Sequence, residues 1–169
     1  MSRALVVGLG HPDRGDDGVG VAVARVVQRL RLPDVDVVPG GEPLQLLDLW
    51  ERYQRVVVVD SVRSPAPPGT VLVRNPVVAP LPSTGTSASS HSLDLAATVE
   101  LARSLDRLPA QLVVVGVVGT HFARGASISE LVRGGLDDAV RAVVVAAGLD
   151  TSRSSLSRSG AAGKRRRQA

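Results

Sequence analysis

Residues 5–20 read LVVGLGHPDRGDDGVG, and everything else in the chain is arranged around that stretch. An apolar run, Ala4–Val7, ends in a glycine turn. Three carboxylates follow, Asp13, Asp16 and Asp17, and a helical pattern begins close behind them. Glycines at a strand end permit close backbone approach, the usual device for holding a phosphate. Here, however, Asp13 stands where a dinucleotide fingerprint places its third glycine, and Asp16 and Asp17 fill the helix start that a pyrophosphate needs. Carboxylates there repel an anion and suit a cation. The loop fits a metal or a peptide, not a nucleotide.

Outward from it, strand and helix patterns alternate. Val19, Val23, Val26 and Leu30 share one helical face. Val35–Val38 reads as a second strand, and Pro43 opens a helix to about Tyr53, since proline is tolerated in a first turn. The VVVV within Arg55–Asp60 has the character of a central strand covered on both faces. Thr70–Arg74 follows the Pro67-Pro68-Gly69 turn as another strand. Residues 75–90, rich in Pro, Ser and Thr, form a loop long enough to be functional. A helix over His91–Leu105 puts Leu95, Val99 and Ala102 on one side. Gln111–Val118 is a further buried strand, and Ile128–Ala147 a last helix interrupted near Gly134-Gly135. The pattern predicts a single three-layer α/β/α sandwich with a mostly parallel sheet.

Composition bounds the function. A chain of 169 residues is one domain able to bury a core. Without cysteine it has neither disulfides nor thiolate metal ligands. No signal-peptide pattern and no apolar stretch of transmembrane length is present, so a cytoplasmic protein without a membrane anchor is expected. The net charge of +4 is uneven: residues 151–169 carry six of the twenty basic residues and no acid, leaving the rest at −2. The division expected is a folded domain over 1–149 and a basic, disordered tail over 150–169. The acidic balance of the body argues against a nucleic-acid surface.

In a parallel α/β sheet, ligands bind outside the carboxyl ends of the strands. That rule selects Gly8–Asp17, Gly40-Gly41, Asp60, Gly119–Arg124 and, at the start of its helix, His91. Two carboxylates and an imidazole converging there form a borderline-hard metal site with open positions, better suited to nickel or zinc than to calcium. Each residue also has a plainer role. Asp16 is placed to be a helix N-cap, Asp17 to complement the helix dipole, Asp60 to accept turn N–H groups, and His91 to donate to a carbonyl.

The order of these motifs resembles the hydrogenase maturation proteases, endopeptidases that finish nickel-iron hydrogenase large subunits. VVGLGHPDRGDDGVG resembles the family's opening strand, Gly-x-Gly-Asn-Pro-like turn and Asp-Asp-Gly-x-Gly motif. Gly40-Gly41, VVVVD ending at Asp60, PPG at 67–69, Ser90-His91, LVVVGV at 112–117 and SISELV at 127–132 follow in family order. The resemblance spans about residues 4–147. It implies that Asp17, Asp60 and His91 are the metal-contacting and catalytic positions. It also implies removal of a C-terminal extension from a large-subunit precursor whose nickel is supplied by that substrate and not held permanently. A monomer is the expected state. Three positions depart from the pattern: His11 for the usual Asn, Pro39 for an Asp before the double glycine, and Gly119-Thr120-His121 where a Glu-Pro pair is common.

Two other readings are open at this point. VGLGHP also resembles the opening of peptidyl-tRNA hydrolases, although an Asp-Asp-Gly at the helix start is foreign to them. The same crevice could instead serve a nickel-dependent binding module that checks a metallated partner without cutting it.

Overall fold

The structure, a computed structural model, describes residues 3–82 and 90–149, with side chains described for 3–82 and 95–149. The expectation of a disordered tail over 150–169, like the middle of the 75–90 loop, lies outside the described residues. Five strands form one sheet: β1 (Ala4–Gly8), β2 (Val35–Pro39), β3 (Arg55–Val62), β4 (Val71–Arg74) and β5 (Gln111–Val118). Their spatial order is β2-β1-β3-β5-β4, with the first four parallel and β4 antiparallel to β5. The helices are α1 (Val19–Arg29), α2 (Leu46–Leu49), α3 (Ser90–Ser104), α4 (Glu130–Gly134) and α5 (Leu136–Ala146).

The apolar runs explain the layers. Successive residues of a strand face opposite sides of the sheet, so the valine runs feed two cores at once. Val6, Val57, Val59, Val115 and Val117 pack with Val19, Val23 and Val27 of α1 and Val143 of α5. Leu5, Val7, Val56, Val58 and Val114 pack with Leu46, Trp50 and, from α3, Leu95, Val99 and Ala102. Burying each such side chain stabilises the fold by about 1.5–3 kcal/mol. The three-layer α/β/α sandwich is therefore what these runs dictate, with a mostly parallel sheet as expected.

Several boundaries move for physical reasons. β3 does not stop at Asp60: its register with β5 continues through Ser61↔Val117 and Val62↔Val118, so Asp60 lies inside a paired strand and not in the turn after it. In α1, Val27 is buried while Leu30 is half exposed, so the apolar face leans one residue away from Val26 and Leu30. The segment opened by Pro43 has a capping box from Glu42 and Gln45, but winds as a 3-10 turn, then α2, then a second 3-10 turn ending at Arg52. The last helix starts at Glu130 and breaks at Gly135, where a Cβ would collide with the carbonyl of Gly69.

Candidate active site

Three strand ends meet at one edge of the sheet, and the loop after β1 is folded tightly across it. Leu9 N–H donates to the Val59 carbonyl at 2.8 Å, tying the exit of β1 to β3. Gly10 then turns at φ +106°, and any Cβ there would strike the Asp17 carbonyl oxygen. α1 closes down on the strands through Gly20, whose missing side chain leaves room for the carbonyls of Leu9 and Val59. The glycines of the opening motif therefore serve backbone packing, and the carboxylates are delivered to the edge by it.

Asp16 and Asp17 sit in a short 3-10 turn over Gly15–Gly18 and are both buried. They point to different partners. Asp16 accepts from the backbone N–H groups of Thr120 and His121 through Oδ2, each at 2.9 Å, and from Ser129 N–H through Oδ1 at 2.8 Å. Burial works against its charge, but these donors outweigh burial and hold the carboxyl below its ordinary range. Asp16 is thus not the helix N-cap that its position predicts. It is the anchor of the loop after β5. Backbone bonds complete the seam: Asp16 N–H to the His121 carbonyl at 2.7 Å, Gly15 N–H to Ala126 at 3.0 Å, and Gly125 N–H to Asp13 at 2.7 Å.

Asp17 turns towards β3. Its Oδ2 accepts from His11 N–H at 3.1 Å, and its Oδ1 accepts from the Ser61 hydroxyl at 3.3 Å. Ser61 also donates its backbone N–H to Asp60 Oδ1 at 2.8 Å, so one residue bridges both carboxylates. Asp60 is 1% exposed, and its buried Oδ2 has no hydrogen-bond partner among the described residues. Burial first, and then the neighbouring Asp17 charge, push the Asp60 carboxyl up to about 8 against the pull of the Ser61 N–H. A buried carboxyl that keeps a free oxygen and a proton at neutral pH is a group with capacity left for a ligand.

His91 lies in the first turn of α3, which packs on the sheet face that carries Asp60. Its side chain is outside those described. Among the described residues, no three His, Cys, Asp or Glu side chains gather as a metal cluster. The Asp17–Asp60 pair is brought together through Ser61, and His91 lies in the first turn of the helix that packs on the same sheet face as Asp60.

The family model of the hydrogenase maturation proteases matches residues 21–146. The chain belongs to that family. The match includes the positions of Asp60 and His91 and begins just beyond the Asp16-Asp17 turn, so Asp17 is placed by its geometry. A Methanocaldococcus jannaschii protein assigned to the hydrogenase maturation proteases is 29% identical over 150 residues, covering 83% of this chain and 93% of that one. The hydrogenase maturation protease HybD of Thermococcus kodakarensis superposes with a TM-score of 0.70 at 25% identity, covering 86% of this chain and 99% of the other. Escherichia coli HybD, a hydrogenase-maturating endopeptidase, shares the fold with a TM-score of 0.70 at 21% identity, over 85% and 91% of the two chains. This sets aside the RNA-ester hydrolase reading. Among the described residues of this hydrogenase maturation protease, no helix is long and apolar enough to cross a membrane.

Sequence reasoning passed over Ser61 and misread Asp16. The partners of Asp16 lie 104 to 113 residues away, a distance that no local pattern reports. The departures at Thr120 and His121 acquire a meaning here, because both supply backbone N–H groups to Asp16, which a proline at either position would not.

Proposed function

We propose that this protein is an endopeptidase that removes the C-terminal extension of a nickel-iron hydrogenase large-subunit precursor, acting in the cytoplasm on the nickel-loaded form. The observation that carries this reading is the Asp17–Asp60 pair, buried at the sheet edge with one carboxylate oxygen unpartnered among the described residues, in a chain of the hydrogenase maturation protease family. Asp17 and Asp60 offer hard oxygen donors, and His91 is the third ligand in this reading, from the helix beside them. A carboxylate and imidazole set of this kind suits nickel. The nickel belongs to the substrate, so the protease need not hold metal between turnovers.

The residues of the chain then have defined parts. Asp17 is oriented from both sides, by His11 N–H and by the Ser61 hydroxyl. Asp60 is fixed through one oxygen by Ser61 N–H and presents the other. Protonated at neutral pH, it must release its proton to bind a cation, which couples substrate recognition to proton release. The deciding experiment is the intact mass of a co-encoded large-subunit precursor, nickel-loaded and nickel-free, after incubation with the protein. Loss of a C-terminal peptide from the loaded form alone is the expected result. Complex formation without any change of mass would support a binding module that checks the precursor and does not cut it.

A further inference from the structure

On the sheet face that packs against α3, Asp60 and Leu72 are both in register with Gly116, one across β3 and β5, the other across β5 and β4. Residues in register on neighbouring strands share a face, so the row reads carboxyl, gap, apolar side chain. Val62 leans over that gap from β3, where a Cβ at position 116 would meet its methyl groups at 2.8 and 3.0 Å. Along this row lies a groove of about 250 Å³, with Asp60 in its lining and Leu72, Leu81, Leu95 and Val114 among its apolar walls.

Apart from Asp60, the only charged side chains lining the groove among the described residues are Arg63 and Arg74. Both are exposed, and neither pairs with a carboxylate among the described residues. Arg63 lies 5.0 Å from the centroid of the Phe122 ring, which orients the guanidinium and leaves its N–H donors available. A rim of one charge sign selects the opposite sign and sets the register of what binds. A free anion would leave the apolar walls uncovered. An extended peptide with an apolar residue beside an acid covers the walls and answers both cations.

We propose that this groove is the subsite for the precursor chain next to the cut bond, seating an apolar side chain against Val62, Leu72 and Leu95 and a neighbouring Asp or Glu against Arg63 and Arg74. This rests on the reading of Asp60 as part of the cutting site. Arg63 and Arg74 then determine which precursors are accepted, and Phe122 positions Arg63.

The test is steady-state cleavage of the nickel-loaded precursor by the full chain. R63E/R74E is expected to raise KM about tenfold, the loss of two rim ion pairs. Replacing the acid beside the cut with Lys should do the same to the wild type, and combining the two changes should bring KM back towards its starting value. An unchanged KM in R63E/R74E, a failure of the charge swap to recover it, or a precursor with no acid near its cut overturns the subsite. Anisotropy of a fluorescent peptide spanning the cut reads binding without turnover, and equal affinity of the wild type and R63E/R74E also overturns it. In those cases Asp60→Asn still abolishes cleavage and the functional reading stands. If Asp60→Asn cuts like the wild type, the functional reading itself fails.

Discussion

Asp16 and Asp17 are adjacent, equally buried and part of the same turn, yet they do different things. Asp16 is saturated: three backbone N–H groups from the loop after β5 fill its oxygens and keep it charged. Among the described residues, Asp17 accepts one bond at each oxygen and faces Asp60, whose second oxygen accepts none. Burial alone therefore does not mark a functional carboxylate. What separates the two is the number of donors supplied, because a buried acceptor without partners is costly to keep and rarely retained without use.

The strongest way to break this comparison is to exchange the fates of the two residues. Asp17→Asn or Asp60→Asn should lower the rate of precursor cleavage about a thousandfold while leaving the denaturation midpoint at about pH 6 close to that of the wild type. A variant that keeps its activity would remove the distinction. Asp16→Ala should show the reverse pattern. Stranding three N–H groups is expected to cost about 3 kcal/mol of stability in urea unfolding, and activity should fall only as far as the loop after β5 loosens.

The pH dependence sharpens the same contrast. The folded pKa of Asp60 is raised to about 8, so its contribution to stability is fully present below the unfolded value and is lost as pH rises through 8. Between pH 6 and 9 the wild type should lose about 2 kcal/mol that Asp60→Asn retains. Asp16 is lowered, so its contribution is present above the unfolded value and disappears as pH falls through the folded one. Asp16→Asn should therefore flatten the acid limb, and Asp60→Asn the alkaline limb, of a stability profile taken by denaturant titration. The smallest effect concerns Phe122. Phe122→Ala removes the ring beneath Arg63, which should lower stability by less than about 1 kcal/mol and raise KM for the precursor a fewfold.

The contrast also explains what the sequence could disclose. The VVVV run could only be a strand covered on both sides, and Leu95, Val99 and Ala102 could only line one helical face; both stand in the structure. That Asp17 and Asp60 come together was legible because the loops at the strand ends of a parallel sheet converge. Asp16 was not, since an acid before a helix has a local explanation that satisfies every local test. Only the fold brings Thr120, His121 and Ser129 to it. The groove was hidden for a related reason: Gly116 is unremarkable in LVVVGV until register sets it between Asp60 and Leu72. Periodicity also overreached at Leu30, where α1 ends and the chain leaves the core.

Trp50 is the only tryptophan of the chain and lies fully enclosed beside Leu46, within the core beneath α3. The protein therefore carries a single built-in indole in a buried environment, on the same side of the sheet as Asp60. Its emission should be blue-shifted in the folded state and move to the red on unfolding, with no label to attach and no second indole to confuse the signal.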